Sequence, residues 1–418
     1  MGIGDRLMKI VVKVKDAVEL ARRFEASPVE AMREVVREIR ESAARALEQV
    51  MEAEIELFLG QDAERGNKRN GFRTRVFAVK GLGAIRLRVP RDRKTRFQSV
   101  VIPAGRRYDE ATEKDLALLN LSGLSTRMLS YVSTRVLGVR VSPQEVSNAL
   151  STIVPAAKEF LERPLEGRRF QYLYLDGTNF HVRRTTVEKE PTLVVIGVDE
   201  GGFKSLIAMV QGDKESRASW EMVFSRMKER GLDPSSIKLG IMDGLPGLED
   251  AFEEAFPRAK AARCWVHKAR NVFPLVPKRY QAEFKKDWDL VQYADGGKEA
   301  REIFASLKAR WGKTCADAVE NMEKDLEALL VHYEFPKEHW EALRTTNPIE
   351  RVNKEFKRRA KPMETVSPDG LKALLAFTAL RLEYGWMTTP ITSNKLTRLK
   401  YRERREAELA QAARMLLN

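Results

Sequence analysis

The sequence predicts a mixed α/β protein, with a sheet-centred core in mid-chain that is interrupted by a helical segment and preceded by a mainly helical region. Three observations carry that expectation. Short apolar runs rich in branched and aromatic residues begin at Gln171 and recur as far as Val266, with turn residues and two helical stretches between them. The roughly 80 residues that follow read as helical, far longer than an ordinary connection. Ser-Pro-x-Glu capping boxes at 27–30 and 142–145 open helices in the first third.

The whole chain bounds what these elements can do. Its 418 residues suffice for two or three domains, and 43% hydrophobic with 32% charged residues is an ordinary globular composition. A net charge of +14 points to a polyanionic partner, of which nucleic acid is the commonest. Cys264 and Cys315 are the two cysteines, so no disulfide framework exists and a cytoplasmic setting is expected. Lysines interrupt the apolar residues of the N-terminus, Arg6 breaks a myristoylation motif, and no apolar run spans a bilayer. The expectation is a soluble protein.

From Pro28 the first long helix should run to about Leu59. Val29, Met32, Val36, Ile39, Ala43, Ala46 and Val50 recur three and four apart along it, a heptad seam that serves either intramolecular packing or a dimer contact. Phe72–Val79 and Ala84–Val89 then read as a ribbon turning at Lys80–Gly83. Its arginines, Arg73, Arg75, Arg86, Arg88, Arg91 and Arg93, are expected on one face against DNA phosphates, with a plain solvated face as the alternative. Thr112–Val154 reads as a helix-turn-helix, with breaks near Gly123 and Gly138. In its third helix Val146, Ala149, Leu150 and Ile153 form the core stripe, leaving Gln144, Ser147, Asn148 and Thr152 outward for base edges; a three-helix bundle has the same pattern.

Strands are expected over Gln171–Asp176, Pro191–Val198, Lys204–Gln211, Ile237–Asp243 and Ala259–Val266, with helices over Ser219–Gly231 and Gly247–Phe256. Three strands, helix, strand, helix, strand is the order of a ribonuclease H-like sheet. There the first and fourth strands are neighbours, which sets Asp176 beside Asp243. Two carboxylates about 4 Å apart repel by roughly 4 kcal/mol at an effective dielectric near 20. Either one takes a proton or a divalent cation lies between them, and Mg²⁺ suits such a site. Asp199-Glu200-Gly201-Gly202 reads instead as a hairpin turn.

A third acid, Glu350, lies in a helix expected from Asn347 as N-cap, on which Ile349, Val352 and Phe356 form the packed stripe. Around it Arg351, Lys354, Lys357, Arg358 and Arg359 suit a phosphate backbone, with Asn353 also expected at the DNA; a glutamate that merely favours the helix dipole is the plainer alternative. Trp288, Trp311 and Trp340 in the helical stretch read as core, with base stacking as the alternative. Cys264-Trp265-Val266-His267 lacks further ligands at zinc spacing, so a place beside the acids is expected, with Lys268 and Arg270 following.

The motifs NGFRTR, LRVPRDR, YLDG, IMDGLPGL, CWVHKARN and TTNPIERVNKEFKRR together resemble those of mutator-type transposases of bacterial insertion sequences, a DDE family, from about Met51 to about Met387. The resemblance implies that Asp176, Asp243 and Glu350 are catalytic and hold two Mg²⁺ ions, for which Mn²⁺ would substitute. It implies a ribonuclease H-like α/β catalytic core with an all-helical insertion, and a cysteine–histidine signature at Cys264 and His267. Arg351 and Asn353 fall on its extended glutamate motif. Double-stranded DNA, as terminal inverted repeats and target, is the implied partner, bound by a homodimer or higher assembly, with His267, Lys268 and Arg270 among the DNA contacts. The expected division is 1–66 helical and dimerising, 67–110 basic β-ribbon, 111–165 helix-turn-helix, 166–277 first part of the core, 278–344 helical insertion, 345–390 glutamate helix and 391–418 basic tail. A nuclease or resolvase of the same fold, and a non-catalytic repeat-binding protein, are the alternative functions.

Overall fold

The computed structural model describes residues 17–61, 66–137, 139–212, 214–386 and 390–391. The lysine-interrupted N-terminal stretch, Gly138 and the basic tail from Ser393 lie outside them. Two compact units divide the chain between Leu150 and Ser151.

In the first unit, α1 (Ala17–Ala26) and α2 (Pro28–Gln61) precede a hairpin of β1 (Arg69–Val79) and β2 (Gly83–Asp92), then α3 (Glu110–Leu121), α4 (Thr126–Leu137) and α5 (Pro143–Ser151). The hairpin buries Phe77, Ile85, Leu87 and Val89 against Ala44, Leu47 and Met51 of α2. This corrects the intramolecular reading of the seam; its dimer-contact alternative is untouched. Val29 and Met32 are exposed (63% and 52%), and the helix packs instead through the stripe Ala44, Leu47, Met51 and Ile55. The reason is the hairpin itself, whose apolar face selects the helix face that carries the larger side chains.

The ribbon also departs from the expected single cationic face. Residues directly opposite in an antiparallel pair share a face, and the register pairs Arg73 with Val89, Arg75 with Leu87, and Val76 with Arg86. Arg73 and Arg75 therefore share the side of the buried Leu87 and Val89, while Arg86 and Arg88 stand on the other. A register irregularity between Arg69 and Phe72 accompanies this. Each strand alternates as expected, but the pairing puts the two arginine rows on opposite sides.

Capping explains the helices that follow. Asp109 accepts from the Thr112 amide at 2.9 Å to start α3. At α5, the Ser142 amide and hydroxyl both donate to Glu145 Oε2 at 2.8 Å, and the Glu145 amide returns a bond to Ser142 Oγ at 3.2 Å, a closed capping box. Val146, Ala149, Leu150 and Ile153 are buried, whereas Gln144, Ser147, Asn148 and Thr152 are exposed.

The second unit starts with α6 (Val154–Leu161). Then come β3 (Phe170–Arg183), β4 (Val187–Asp199), β5 (Lys204–Gln211), α7 (Arg217–Glu229), β6 (Leu239–Met242), α8 (Pro246–Ala255) and β7 (Lys260–Arg263). The sheet order is β5-β4-β3-β6-β7. Strands β3–β4 and β4–β5 are antiparallel, whereas β3–β6 and β6–β7 are parallel. Leu173 and Leu175 turn to the face covered by α7 and α8, packing with Trp220, Phe224, Phe252 and Phe256. Their neighbours turn the other way: Tyr174 donates to the Ala342 carbonyl at 2.9 Å, and the Tyr172 hydroxyl lies 2.8 Å from His339 Nδ1. Asp199 caps its turn, accepting from the Gly201 and Phe203 amides at 3.0 Å.

Helices α9 (Trp265–Val272), α10 (Gln281–Gln292), α11 (Gly297–Trp311), α12 (Ala316–Lys324), α13 (Leu326–Leu330) and α14 (Trp340–Leu343) form the helical stretch. Their core holds Trp265, Trp288, Trp311 and Cys315, all buried. Trp288 meets Trp265 edge-on with centroids 5.2 Å apart. The Trp340 indole donates to the Phe335 carbonyl at 2.7 Å. The chain closes with α15 (Asn347–Ala360), which packs on β3, and α16 (Pro368–Trp386), which packs on α6, β5 and α15.

Candidate active site

The site forms where β6 ends and β3 continues. Tyr174 pairs with Ile241 in parallel register, so two residues further on Asp176 stands level with Asp243. Contrary to the sequence expectation, β3 does not stop at Asp176: it runs to Arg183, hydrogen-bonded to β4 throughout. Past Asp176 its other edge has lost β6, and that opening at the carboxyl ends of parallel strands is where open α/β sheets place their ligands. The chain leaves β6 through Gly244, whose φ of +89° suits glycine and whose missing Cβ leaves room for the Arg263 guanidinium. Asp243 is exposed and accepts from the Leu245 amide at 3.1 Å.

Helix α15 brings the remaining groups. Ile349, Val352 and Phe356 are fully buried, which fixes the helix rotation. Asn353, expected among the DNA contacts, falls instead on that packed face at 6% exposure, and its Nδ2 donates to Asp176 Oδ2 at 2.7 Å. Glu350 is half-buried, its Oε1 3.2 Å from His267 Nε2 and its Oε2 3.4 Å from Arg270. The helix N-cap is Thr346, one residue before the expected Asn347, and it makes no side-chain cap. Its hydroxyl lies 3.1 Å from Cys264 Sγ, 3.3 Å from His267 Nδ1 and 3.5 Å from Glu350 Oε1, and its amide donates to the same sulfur at 3.2 Å. Cys264 in turn is tied to the sheet by its own amide, which donates to the Met242 carbonyl at 2.9 Å. The cysteine thus latches the start of α15 to the strand that carries Asp243.

Burial pushes the Asp176 carboxyl up to about 6; the Asn353 hydrogen bond opposes this, and the charges of Asp243 and Glu350 add to it. A fourth carboxyl, Glu215, had no signature in the sequence. It stands in the loop before α7, and burial, then the charges of Asp243 and Asp176, push it up to about 7. Burial raises the Cys264 thiol, yet hydrogen bonds from His267 and Thr346 outweigh this and hold it below its ordinary value. His267 is held above its ordinary value by that bond to Cys264 first, with burial opposing. Each thus favours the charged form of the other, with His267 also turned to Glu350.

The donor chemistry suits a hard divalent cation, because every acid offers carboxylate oxygen and burial makes uncompensated charge on Asp176 and Glu215 costly. Asn353 Oδ1, buried and without a hydrogen-bond partner among the described residues, is a further oxygen facing that need. The carboxylates remain apart: among the described residues no three His, Cys, Asp or Glu side chains gather closely enough to hold a metal ion.

Other sequence candidates separate. Lys268 is a correction, being 6% exposed and paired with Asp325 rather than open to DNA. It falls on the face of α9 that packs into the helical core, where Arg263 also reaches Asp325 at 2.9 Å. Arg75 is turned inward, donating to the Pro103 carbonyl at 3.4 Å and to that of Arg106. Arg73, Arg86, Arg88, Arg91, Arg93, Arg351, Lys354, Lys357 and Arg358 are exposed, Arg358 with Glu355 at 2.9 Å. On α5 Gln144 donates to Asn148 at 2.9 Å, so these two outward amides are pre-aligned.

A sequence profile described as "Transposase, Mutator family" matches residues 13–408. The chain belongs to the Mutator family of transposases. It is 31% identical to the transposase for insertion sequence element IS905 of Lactococcus lactis over 77% of this chain and 83% of that protein. With the transposase for element ISRM5 of Rhizobium meliloti it shares 28% identity over 91% of this chain and 94% of the relative. With that for IS256 in transposon Tn4001 of Staphylococcus aureus the figure is 29%, over 71% and 76%. No helix among the described residues of this transposase-family chain is long and apolar enough to cross a membrane.

Proposed function

We propose that this chain is a DDE transposase that binds the terminal inverted repeats of an insertion sequence and catalyses DNA cleavage and strand transfer. The observation that supports the reading is the level placement of Asp176 on β3 and Asp243 just past the adjacent parallel strand β6, with Glu350 on the neighbouring helix α15. The strand order supports a ribonuclease H-like core, and the helical stretch between β7 and α15 supports an insertion ahead of the glutamate.

Asp176, Asp243 and Glu350 would hold two Mg²⁺ ions, which when bound activate the attacking oxygen and stabilise the leaving oxygen. The chain's own residues prepare that arrangement. Asn353 orients Asp176 and favours its ionised form, a charge-assisted bond worth about 1.5–3 kcal/mol. His267 and Arg270 hold Glu350 at the mouth of the site. Arg351, Lys354 and Lys357, exposed along the same helix, suit phosphates of a duplex laid across it. Water attacks phosphorus at the element end and the strand's 3′ oxygen leaves as a hydroxyl. That hydroxyl then displaces a 3′ oxygen of target DNA in line. The second step exchanges one phosphodiester for another, so it needs neither a nucleotide cofactor nor a covalent protein intermediate.

The test is purified protein with labelled element-end DNA, target DNA and Mg²⁺ or Mn²⁺, with products sized on a sequencing gel. End cleavage and joined products are expected, with Asp243→Asn keeping end binding and losing both by at least about 10³-fold. Undiminished strand transfer by that variant would reject the site, and cleavage without joining would mark a nuclease.

A further inference from the structure

We propose that Glu215 is a fourth carboxylate of this centre, entering from the opposite face of the sheet to share the hold on a divalent cation with Asp176 and Asp243. The inference rests on the reading that those acids and Glu350 hold such a cation. Successive side chains of a strand point to opposite faces. Asp176 turns to the α15 face, where Asn353 meets it, so the next position, Gly177, presents its missing side chain to the α7 face. A Cβ at Gly177 would stand 2.3 Å from Glu215 Oε2 and 2.6 Å from Oε1. Gly177 does not have a positive φ, so backbone conformation does not demand glycine there. What demands it is the Glu215 carboxylate, which occupies the space where a side chain would stand and lies within electrostatic reach of both Asp243 and Asp176.

The surroundings also hold this carboxylate in place. Glu215 immediately precedes Ser216, the N-cap of α7, whose hydroxyl accepts from the Ser219 amide. Trp220, one turn on, is fully buried, and its indole N–H has no partner inside normal hydrogen-bond reach among the described residues, though it favours the ionised form of Glu215. No basic side chain is paired with Glu215 among the described ion pairs, in contrast to Glu350, which His267 and Arg270 already engage. A carboxylate placed beside two others with only a weak neutral donor is poorly explained as structural, and well explained as a ligand or a group bonded to the cation's water.

The experiment is calorimetric titration of Mn²⁺ into the full chain without DNA, together with thermal unfolding of the same samples. Glu215→Gln is expected to weaken Mn²⁺ binding by about tenfold or more, while its metal-free melting temperature equals or exceeds the parent's because a repelling charge is gone. Gly177→Ala, which removes no charge but displaces the Glu215 carboxylate, is expected to weaken Mn²⁺ in the same way; Glu215→Gln alone decides should that variant fold poorly. Parent-like Mn²⁺ affinity in Glu215→Gln, while Asp243→Asn loses it, would overturn the inference and leave the three-acid reading standing. A parent chain that takes up no Mn²⁺ would overturn both.

Discussion

Asp176 shows how one side chain is set by its neighbours. It lies beside Asp243, is bonded by Asn353 and is buried by α15, and these influences leave it holding its proton to about 6 rather than the ordinary 3.8. Glu215 likewise holds its proton to about 7 rather than 4.5. A carboxyl whose folded value is raised adds stability that is complete below its unfolded value and lost as pH rises through the folded one. The metal-free protein is therefore expected to lose stability from about pH 4 to above pH 7 through these two groups. Mn²⁺ should raise the melting temperature more at pH 8 than at pH 5, measured by thermal unfolding at fixed ionic strength. An equal rise at both would mean that these acids do not bind the ion. Asp176, Asp243 and Glu350 stand out as candidates in the sequence because each ends an apolar run or stands among cations. Glu215 and Thr346 do not: an acid one residue before a helix cap, and a threonine at a cap, are ordinary in sequence. Their roles arise only from what β3, Cys264 and His267 bring next to them.

At the scale of elements, the sheet was readable because strand order follows from where apolar runs and helices alternate, and β3 lies beside β6. The continuation of β3 past Asp176 was hidden because Thr178-Asn179-Phe180-His181 is mixed in polarity, and its pairing with β4 supplies the order instead. Helix α2 shows the converse. Its heptad spacing is real, but two stripes of similar period compete on 34 residues, and only the partner surface decides between them. Met51→Ala should therefore destabilise the first unit by about 2–4 kcal/mol, whereas Val29→Ala should cost within about 0.5 kcal/mol, by urea unfolding. Equal effects would restore the seam. The same logic separates Lys268 from its basic neighbours, since period alone does not tell a cation facing solvent from one facing the helical core.

For the whole molecule, charge is the property that would meet DNA on the proposed reading. An excess of +14 gives salt-dependent attraction without sequence preference, on which base contacts from α5 would be superimposed. Arg88→Ala should lower the slope of log affinity against log salt by about one and weaken all sequences alike. Lys268→Ala should leave that slope unchanged and cost stability, though less than the roughly 3–5 kcal/mol of a fully orphaned buried charge, because Arg263 still pairs with Asp325. Binding isotherms across a salt series check the first, and denaturant unfolding the second. The central claim is that Asp176, Asp243 and Glu350 together grip divalent ions against DNA. Anomalous scattering at the manganese edge, from crystals of the chain bound to element-end DNA and Mn²⁺, tests this most directly. The account predicts anomalous peaks within ligating distance of all three carboxylates; peaks that leave any one of the three unbound, or none at all, would contradict it.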